Sequence, residues 1–349
     1  MFRQLIQSLA AVGHPTELVQ TRDGSRILLL PYGGRILGVF SPNNDDDNFL
    51  WTNPALSSAP AARAYYSSNQ WHNSGGDRTW LAPEIEFFFP GFPDVKNYLQ
   101  PRSLDPGSYV VDRKPSGLEL VNRLVLTAFR SGETLEVEIR KSVAAAPNPL
   151  RLELDFGARR IEYAGYTQVT TLQILKPGPQ DATPVGLWNL TQLPHGGEII
   201  VCTYFRTEPK TYFGELQPGQ IETTGRHVRY RMQCPGIQKI GIRAVATTGR
   251  CGYRYQRAGK HTLVIRNFSV NPSGDYLDVP WLDHDTQAYS MQACSVNCEW
   301  GEFSEMEYHA PGIGRATGTA NSRDISQLWC FRGSEAEITE IANMLLGTA

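Results

Sequence analysis

The chain has 349 residues, of which 41% are hydrophobic, enough for a sizeable core. Its 33 Lys and Arg nearly cancel 35 Asp and Glu, giving a formal charge of -2. That balance excludes a protein whose main work is to hold nucleic acid or an anionic membrane, and it leaves small neutral or weakly charged ligands.

Along the chain, Phe2, Leu5, Ile6 and Leu9 recur at three- and four-residue steps ahead of Gly13, predicting a helix over residues 1–12. The segment lacks the continuous apolar core and small-residue cleavage site of a secretory signal, so a cytoplasmic location is expected. Strand patterns follow at 26–31 and 34–40. The acidic cluster NNDDDN at 43–48 lacks the EF-hand ligand spacing and is expected to be a solvated turn. After a Ser131-Gly132 turn, Leu135, Val137 and Ile139 alternate with charged residues; Leu150, Leu152, Leu154 and Phe156 do the same. Further short strands are expected at 185–192, 198–205, 227–233, 261–268 and 303–309.

Near the end, Ser334 and Glu337 form a capping box ahead of Ile338, Ile341, Met344 and Leu345, with Gly347 as the stop. This predicts a second helix over 335–346. No βαβ rhythm appears, and 32 Gly with 23 Pro punctuate the strands. The expectation is all-β, one large antiparallel sandwich over 1–349 with a core at about 26–320 and short terminal helices. No stretch is apolar for long enough to span a membrane. The six cysteines, confined to 202–330, form no CxxC and no zinc-type spacing, so buried reduced thiols and no metal are expected.

Three stretches carry chemistry. Residues 69–90, NQWHNSGGDRTWLAPEIEFFFP, gather Trp71, His72, Asp77, Arg78, Trp80 and Glu84 around Gly75-Gly76. Adjacent glycines allow positive φ and close backbone approach, while Arg78 and Trp80 supply a hydrogen-bonding fork and a flat apolar face. The alternative is a structural glycine turn. In GEFSEMEYHAP (301–311), strand geometry puts Phe303, Glu305, Glu307 and His309 on one face, with same-face neighbours roughly 6.5–7 Å apart. In a cleft the two acids would raise one another's pKa and form an acid/base pair. On a solvent face they are merely wet, with Met306 and Tyr308 as core. In VGLWNLTQ (185–192), Trp188, Leu190 and Gln192 share a face, and Trp188 is either core or a stacking platform. His195, His227 and His261 have no partners at ligand spacing. GxSxG, HExxH, P-loop and dinucleotide motifs are absent, which removes the corresponding hydrolase, protease, kinase and dehydrogenase classes.

The order of LLLPYGGRILGVF, GGDRTWLAPE, LWNLTQ, KIGI (Lys239–Ile242) and FSEMEYHAP resembles the galactose mutarotase-like (aldose 1-epimerase-like) superfamily, in its divergent bacterial branch. The resemblance implies a β-supersandwich and cofactor-free general acid–base isomerisation at the anomeric carbon of an aldose. The family's base corresponds to Glu305, or to Glu307 in the other register, and its sugar-holding Arg to Arg78. Where the family carries its acid His, this chain reads Leu187-Trp188-Asn189, so His72 or His309 would have to replace it. Together these features imply a small-molecule or oligosaccharide ligand bound by Arg78, Trp80, Trp188 and Gln192. The alternatives are a carbohydrate-binding protein without turnover, and a glycoside hydrolase or lyase using Glu305 and Glu307.

Overall fold

The computed structural model describes residues 1–349 other than 22, 43, 115–116, 154–160, 284–286 and 349. Among the described residues, the strands, numbered along the chain, form two antiparallel sheets. The nine-stranded sheet runs β1 (Glu17–Gln20), β2 (Arg26–Leu30), β3 (Arg35–Phe40), β4 (Asp77–Ala82), β9 (Gly186–Pro194), β18 (Gly301–His309), β17 (Tyr289–Cys298), β14 (Gly236–Arg243) and β11 (Lys210–Phe213). The ten-stranded sheet runs β12 (Ile221–Thr223), β13 (His227–Arg231), β10 (Glu198–Thr203), β15 (Thr247–Arg257), β16 (Lys260–Phe268), β19 (Asn321–Gly333), β8 (Glu162–Lys176), β7 (Glu133–Ala145), β6 (Gly117–Ala128) and β5 (Val110–Lys114). The all-β sandwich expected from the alternation is therefore present.

The sheets face one another across a core that joins Ile27, Ile36, Ile240, Met306 and Tyr308 of the first to Tyr166, Val228, Tyr253, Val264 and Leu328 of the second. Met306 and Tyr308 point inward, so the odd-numbered residues of β18 project from the opposite face, as period-2 geometry requires. Helix α1 (Phe2–Ala10) lays Phe2, Leu5 and Leu9 over Leu28, Leu30, Leu37 and Phe40 on that outer face. The C-terminal helix α4 (Glu335–Leu346) packs Ile338, Ile341 and Leu346 on Leu263, Ile265 and Phe331 of the other sheet. It starts in the predicted Ser334/Glu337 capping box and stops at Gly347, φ 68°. No helix among the described residues is long and apolar enough to cross a membrane.

Of the strand expected at 150–156, residues 150–153 are not strand. Residues 150–153 make a turn in which the Asn148 side chain accepts the Leu150 N–H at 2.9 Å, so Asn-Pro turn chemistry overrides the alternation, and 154–156 lie outside the described residues. Of the three acids at 45–47, Asp45 pairs with Arg26 and well-exposed Asp46 with the Met1 ammonium, while Asp47 accepts from Asn44. Residue 43 lies outside the described set.

One polar cluster ties the sheets together. Asp77 of β4, fully buried, accepts hydrogen bonds from Lys141 of β7 at 2.8 Å, from Tyr166 of β8 at 3.0 Å, from Thr191 of β9 at 3.0 Å, and from Arg266 of β16. Burial alone would push its carboxyl up, but the Lys141 and Arg266 charges outweigh it and hold Asp77 below the usual carboxylate range. The adjacent Gly75 and Gly76 have φ of 96° and 77°. A side chain at Gly75 would meet the Trp51 carbonyl, and one at Gly76 the Ile36 carbonyl. The close approach that these glycines permit is to neighbouring backbone, not to a ligand surface.

Candidate functional site

On the outer face of the nine-stranded sheet, strand pairing sets side chains in rows. Across β9, β18, β17, β14 and β11, Gln192, Glu305, Cys294, Lys239 and Phe213 are successive register partners. The neighbouring row brings Arg78 of β4 beside Leu190 and Glu307, and the next brings Trp80 beside Trp188 and His309. Arg78, Trp188, Glu305 and Glu307, separated by up to about 230 positions in sequence, thus meet on one wall of a cleft. Its roof comes from Glu84 of α3 (Glu84–Phe87), Tyr98, Gln100, Trp281 and Trp300, with Trp71 at one side. The cavity between the walls has a volume of about 60 Å³, well below the roughly 300–1,000 Å³ of small-molecule sites. A sugar-sized ligand therefore needs the mouth side chains to turn aside.

Glu305 is nearly buried, 6% exposed. Its Oε1 accepts from the Gln192 amide at 3.0 Å and pairs with Arg78 at 2.9 Å. Arg78 in turn lies 4.1 Å over the Trp80 ring, and its Nε and Nη1 are buried without a partner. Trp80 is fixed by donating to Asp105 at 3.0 Å, the same carboxylate that pairs with buried Arg35 at 2.8 Å. Cation–π contact and ion pair together orient the guanidinium toward Glu305.

Glu307 is 1% exposed. Its Oε2 accepts from the Trp188 indole at 2.7 Å and pairs with Lys239 at 3.0 Å, while its Oε1 has no hydrogen-bond partner. Burial, more than the opposing Lys239 charge, raises the Glu307 pKa, and Glu305 adds to the rise; it stands at about 7. Burial would lower the Lys239 pKa, but Glu307, Glu84 and Asp278 outweigh it and keep the ammonium charged. Glu84 has both oxygens engaged, by Tyr98 at 2.5 Å and Trp281 at 2.7 Å, and burial raises its pKa despite Lys239.

The sequence-predicted residues divide into groups. Glu305, Glu307, Arg78, Trp80 and Trp188 line the cleft. Trp188 offers no free face: Lys239 sits 4.4 Å over its ring, His309 stacks on it at 5.6 Å, and its N–H is spent on Glu307. It props the acid rather than acting as a platform. Gln192, fully buried, holds Glu305 and does not line the cleft. His309 is buried behind Trp188 with both ring nitrogens unpartnered, and burial pushes its pKa down to about 4. His72 lies elsewhere, bonded to Tyr32 at 2.9 Å and to Ser68 at 3.2 Å, among Tyr65 and Tyr66. Neither imidazole is among the cleft-lining residues. The open aromatic surface belongs instead to half-buried Trp71, Tyr98, Phe213, Trp281 and Trp300 at the mouth. Sequence reasoning singled out Trp71 but not Tyr98, Phe213, Trp281 or Trp300, because these lie in loops or at a strand end without periodicity. Lys239 was visible only as part of KIGI.

Cys294, Glu305 and Glu307 place ligand atoms within 4.8 Å of one another, a spacing a cation would accept. The donor set does not fit one. Lys239 and Arg78 already neutralise the two carboxylates, and burial with the nearby acids raises the Cys294 thiol well above its ordinary range. All six cysteines are free thiols.

Over residues 1–349 the sequence matches a family described as "Family of unknown function (DUF6786)". The chain belongs to this family. No curated protein matches it. Among solved structures, the chain is similar to a galactose mutarotase-like protein from Lactobacillus casei ATCC 334, with 8% identity, a TM-score of 0.50, and 90% of this chain and 99% of that one covered. It also matches galactose 1-epimerase from Lactobacillus acidophilus NCFM, at 7% identity, TM-score 0.44 and coverage of 91% and 94%. A third match is 4-alpha-glucanotransferase from Thermococcus litoralis, at 10% identity and TM-score 0.38, covering 90% of this chain but 37% of that one. The first of these shows that the DUF6786 chain has a galactose mutarotase-like fold.

Proposed function

We propose that this DUF6786 protein binds an aldose in the cleft and isomerises it at the anomeric carbon, with Glu305 as the base. The observation that carries the reading is the setting of Glu305. Arg78 and Gln192 hold its Oε1 in an aromatic-mouthed cleft, and its second oxygen has no partner among the described residues. That oxygen accepts the proton of the C1 hydroxyl, the C1–ring oxygen bond breaks, and reclosure after rotation about C1–C2 gives the other anomer. Half-buried Trp281, Trp300 and Trp71 supply flat apolar surface for the sugar's C–H faces, and the unpartnered Arg78 N–H groups supply donors for its hydroxyls. The experiment is polarimetry or NMR of a freshly dissolved anomer. Wild type should outpace spontaneous equilibration and Glu305→Gln should not. Wild type that never beats the spontaneous rate for any aldose tried sinks the reading.

Among the described residues no imidazole lines the cleft, which favours a second reading, a sugar-binding protein without turnover. It calls for saturable sugar binding, weakened by Arg78→Ala, with no change in anomer ratio kinetics. Of the hydrolase alternatives, the inverting one loses ground. The nearest Glu305 and Glu307 oxygens are within 4.8 Å, short of the roughly 6.5–9.5 Å separation that an inverting glycosidase keeps for its water.

A further inference from the structure

Opening an aldose ring needs a proton for the ring oxygen as well as a base for the hydroxyl. Among the described residues, few groups along the cleft could carry that proton. Glu84 has both oxygens occupied by Tyr98 and Trp281, and Tyr98 gives its proton to Glu84. Lys239 is bound to Glu307 and held charged by the surrounding carboxylates. Arg78 is a permanent cation. What remains is Glu307, whose Oε1 is buried and unpartnered and whose carboxyl shares a strand face with Glu305, with one oxygen within 4.8 Å of ligand atoms of Glu305 and Cys294.

From this geometry we infer that Glu307 is the general acid of the cleft, presenting a proton on Oε1 to the ring oxygen, and that Lys239 is the residue that positions and tunes it. The inference rests on the isomerase reading of the same site. In the forward step Glu305 takes the C1 hydroxyl proton as the C1–O bond becomes a carbonyl, and Glu307 gives its proton to the departing ring oxygen. Reclosure runs both transfers backwards, so no co-reactant is consumed. Trp188 and Lys239 hold Oε2, leaving Oε1 as the protonation site. The charges around Glu307 are Lys239 on β14, Arg78 on β4, Glu305 on its own strand, Glu84 on α3 and Asp278 in the segment after β16, while His309 on its own strand face is kept neutral by burial. Cys294 on β17 and Tyr212 on β11 are neutral at pH 7, because burial raises both. The pKa of about 7 leaves a substantial protonated fraction at neutral pH.

The sign follows. An acid must be protonated to act, so the rate falls as pH rises through the Glu307 pKa. Lys239 favours the ionised form, so Lys239→Met should move the alkaline limb of the pH–rate profile to higher pH. Glu307→Gln, which keeps the shape and a polar end for Trp188, should lose about 100-fold or more in kcat while sugar affinity changes a few-fold. Far-UV circular dichroism checks that the variant is folded. Independently of turnover, infrared difference spectra should show a protonated carboxyl near pH 6 that vanishes in Glu307→Gln. An active wild type with an equally active Glu307→Gln, an alkaline limb unmoved by Lys239→Met, or no Glu307 carboxyl band overturns the assignment alone. A wild type without any acceleration overturns the isomerase reading beneath it.

Discussion

Asp77→Asn removes the anion on which Lys141 and Arg266 converge while leaving its shape almost unchanged. Lys141 is 2.8 Å away and both cations are at most 1% exposed, so the substitution strands two charges in the sandwich interior. Breaking a buried pair by removing one partner costs about 3–5 kcal/mol, because the remaining charge keeps its desolvation penalty. With an unfolding entropy of about 2.1 cal/mol/K per residue, 349 residues give roughly 0.7 kcal/mol per kelvin, so Tm should drop by about 4–7 °C. The sign of the pH dependence is fixed by the direction of the shift. Asp77 is held below its unfolded value of about 3.9, so its contribution is complete above that pH and is lost as pH falls through the folded pKa. Scanning calorimetry of both proteins at pH 7 and pH 2.5 should show a gap that narrows in acid, and Lys141→Met in the Asp77→Asn background should recover part of the loss. A Tm within about 1 °C of wild type at pH 7, or a gap independent of pH, refutes the argument that this cluster holds the sheets together.

Gly76→Ala should cost at least about 2 kcal/mol in urea unfolding, since φ 77° penalises an L side chain and its Cβ would meet Ile36 and Leu37 backbone that has nowhere to move. His309, buried with its pKa lowered by that burial to about 4 against about 6.5 unfolded, should make the protein lose up to about 3 kcal/mol between pH 6.5 and 4 as the unfolded chain takes up the proton first. His309→Phe should flatten that slope in denaturant titrations across the same range, and an unchanged slope would count against a neutral buried imidazole. Ser334→Ala removes the hydroxyl that accepts the Glu337 N–H and should lower stability by about 1 kcal/mol, with no effect on any sugar binding, because α4 packs on the sheet that does not carry the cleft.

How much of this was legible in the sequence depends on where each strand lies. β7 showed itself through Leu135, Val137 and Ile139, because one face meets the core and the other meets water. β17 gave no such signal: its residues from Tyr289 to Val296 are all buried, and the strand is made of small and polar residues (YSMQACSVNC). β8 is 15 residues long, yet its inward Gln168 and Thr170 belong to a buried hydrogen-bond network rather than an apolar stripe. In the cleft, strand parity gave the shared face of Glu305, Glu307 and His309, but not the depth at which each ends. His309 disappears beneath Trp188, and the mouth aromatics come from loops whose course depends on tertiary contacts.

Parity alone also cannot say which face of a strand is which. Asp77 and Arg78 are sequence neighbours of opposite charge on β4, and both are almost completely buried. Asp77 faces the second sheet, where every oxygen is met by a protein donor and nothing small can enter. Arg78 faces outward, where two of its nitrogens are left without partners beside a space roofed by half-buried rings. The satisfied charge is the one that builds the sandwich, and the unsatisfied one is the one that can still gain from a ligand. The same contrast separates Glu84, with both oxygens filled, from Glu307, with one left open. Where a buried charge also lines the cleft, as Arg78 and Glu307 do, its unmet hydrogen-bonding capacity is what a substrate can fill; away from the cleft, as at His309, the same capacity reaches no ligand.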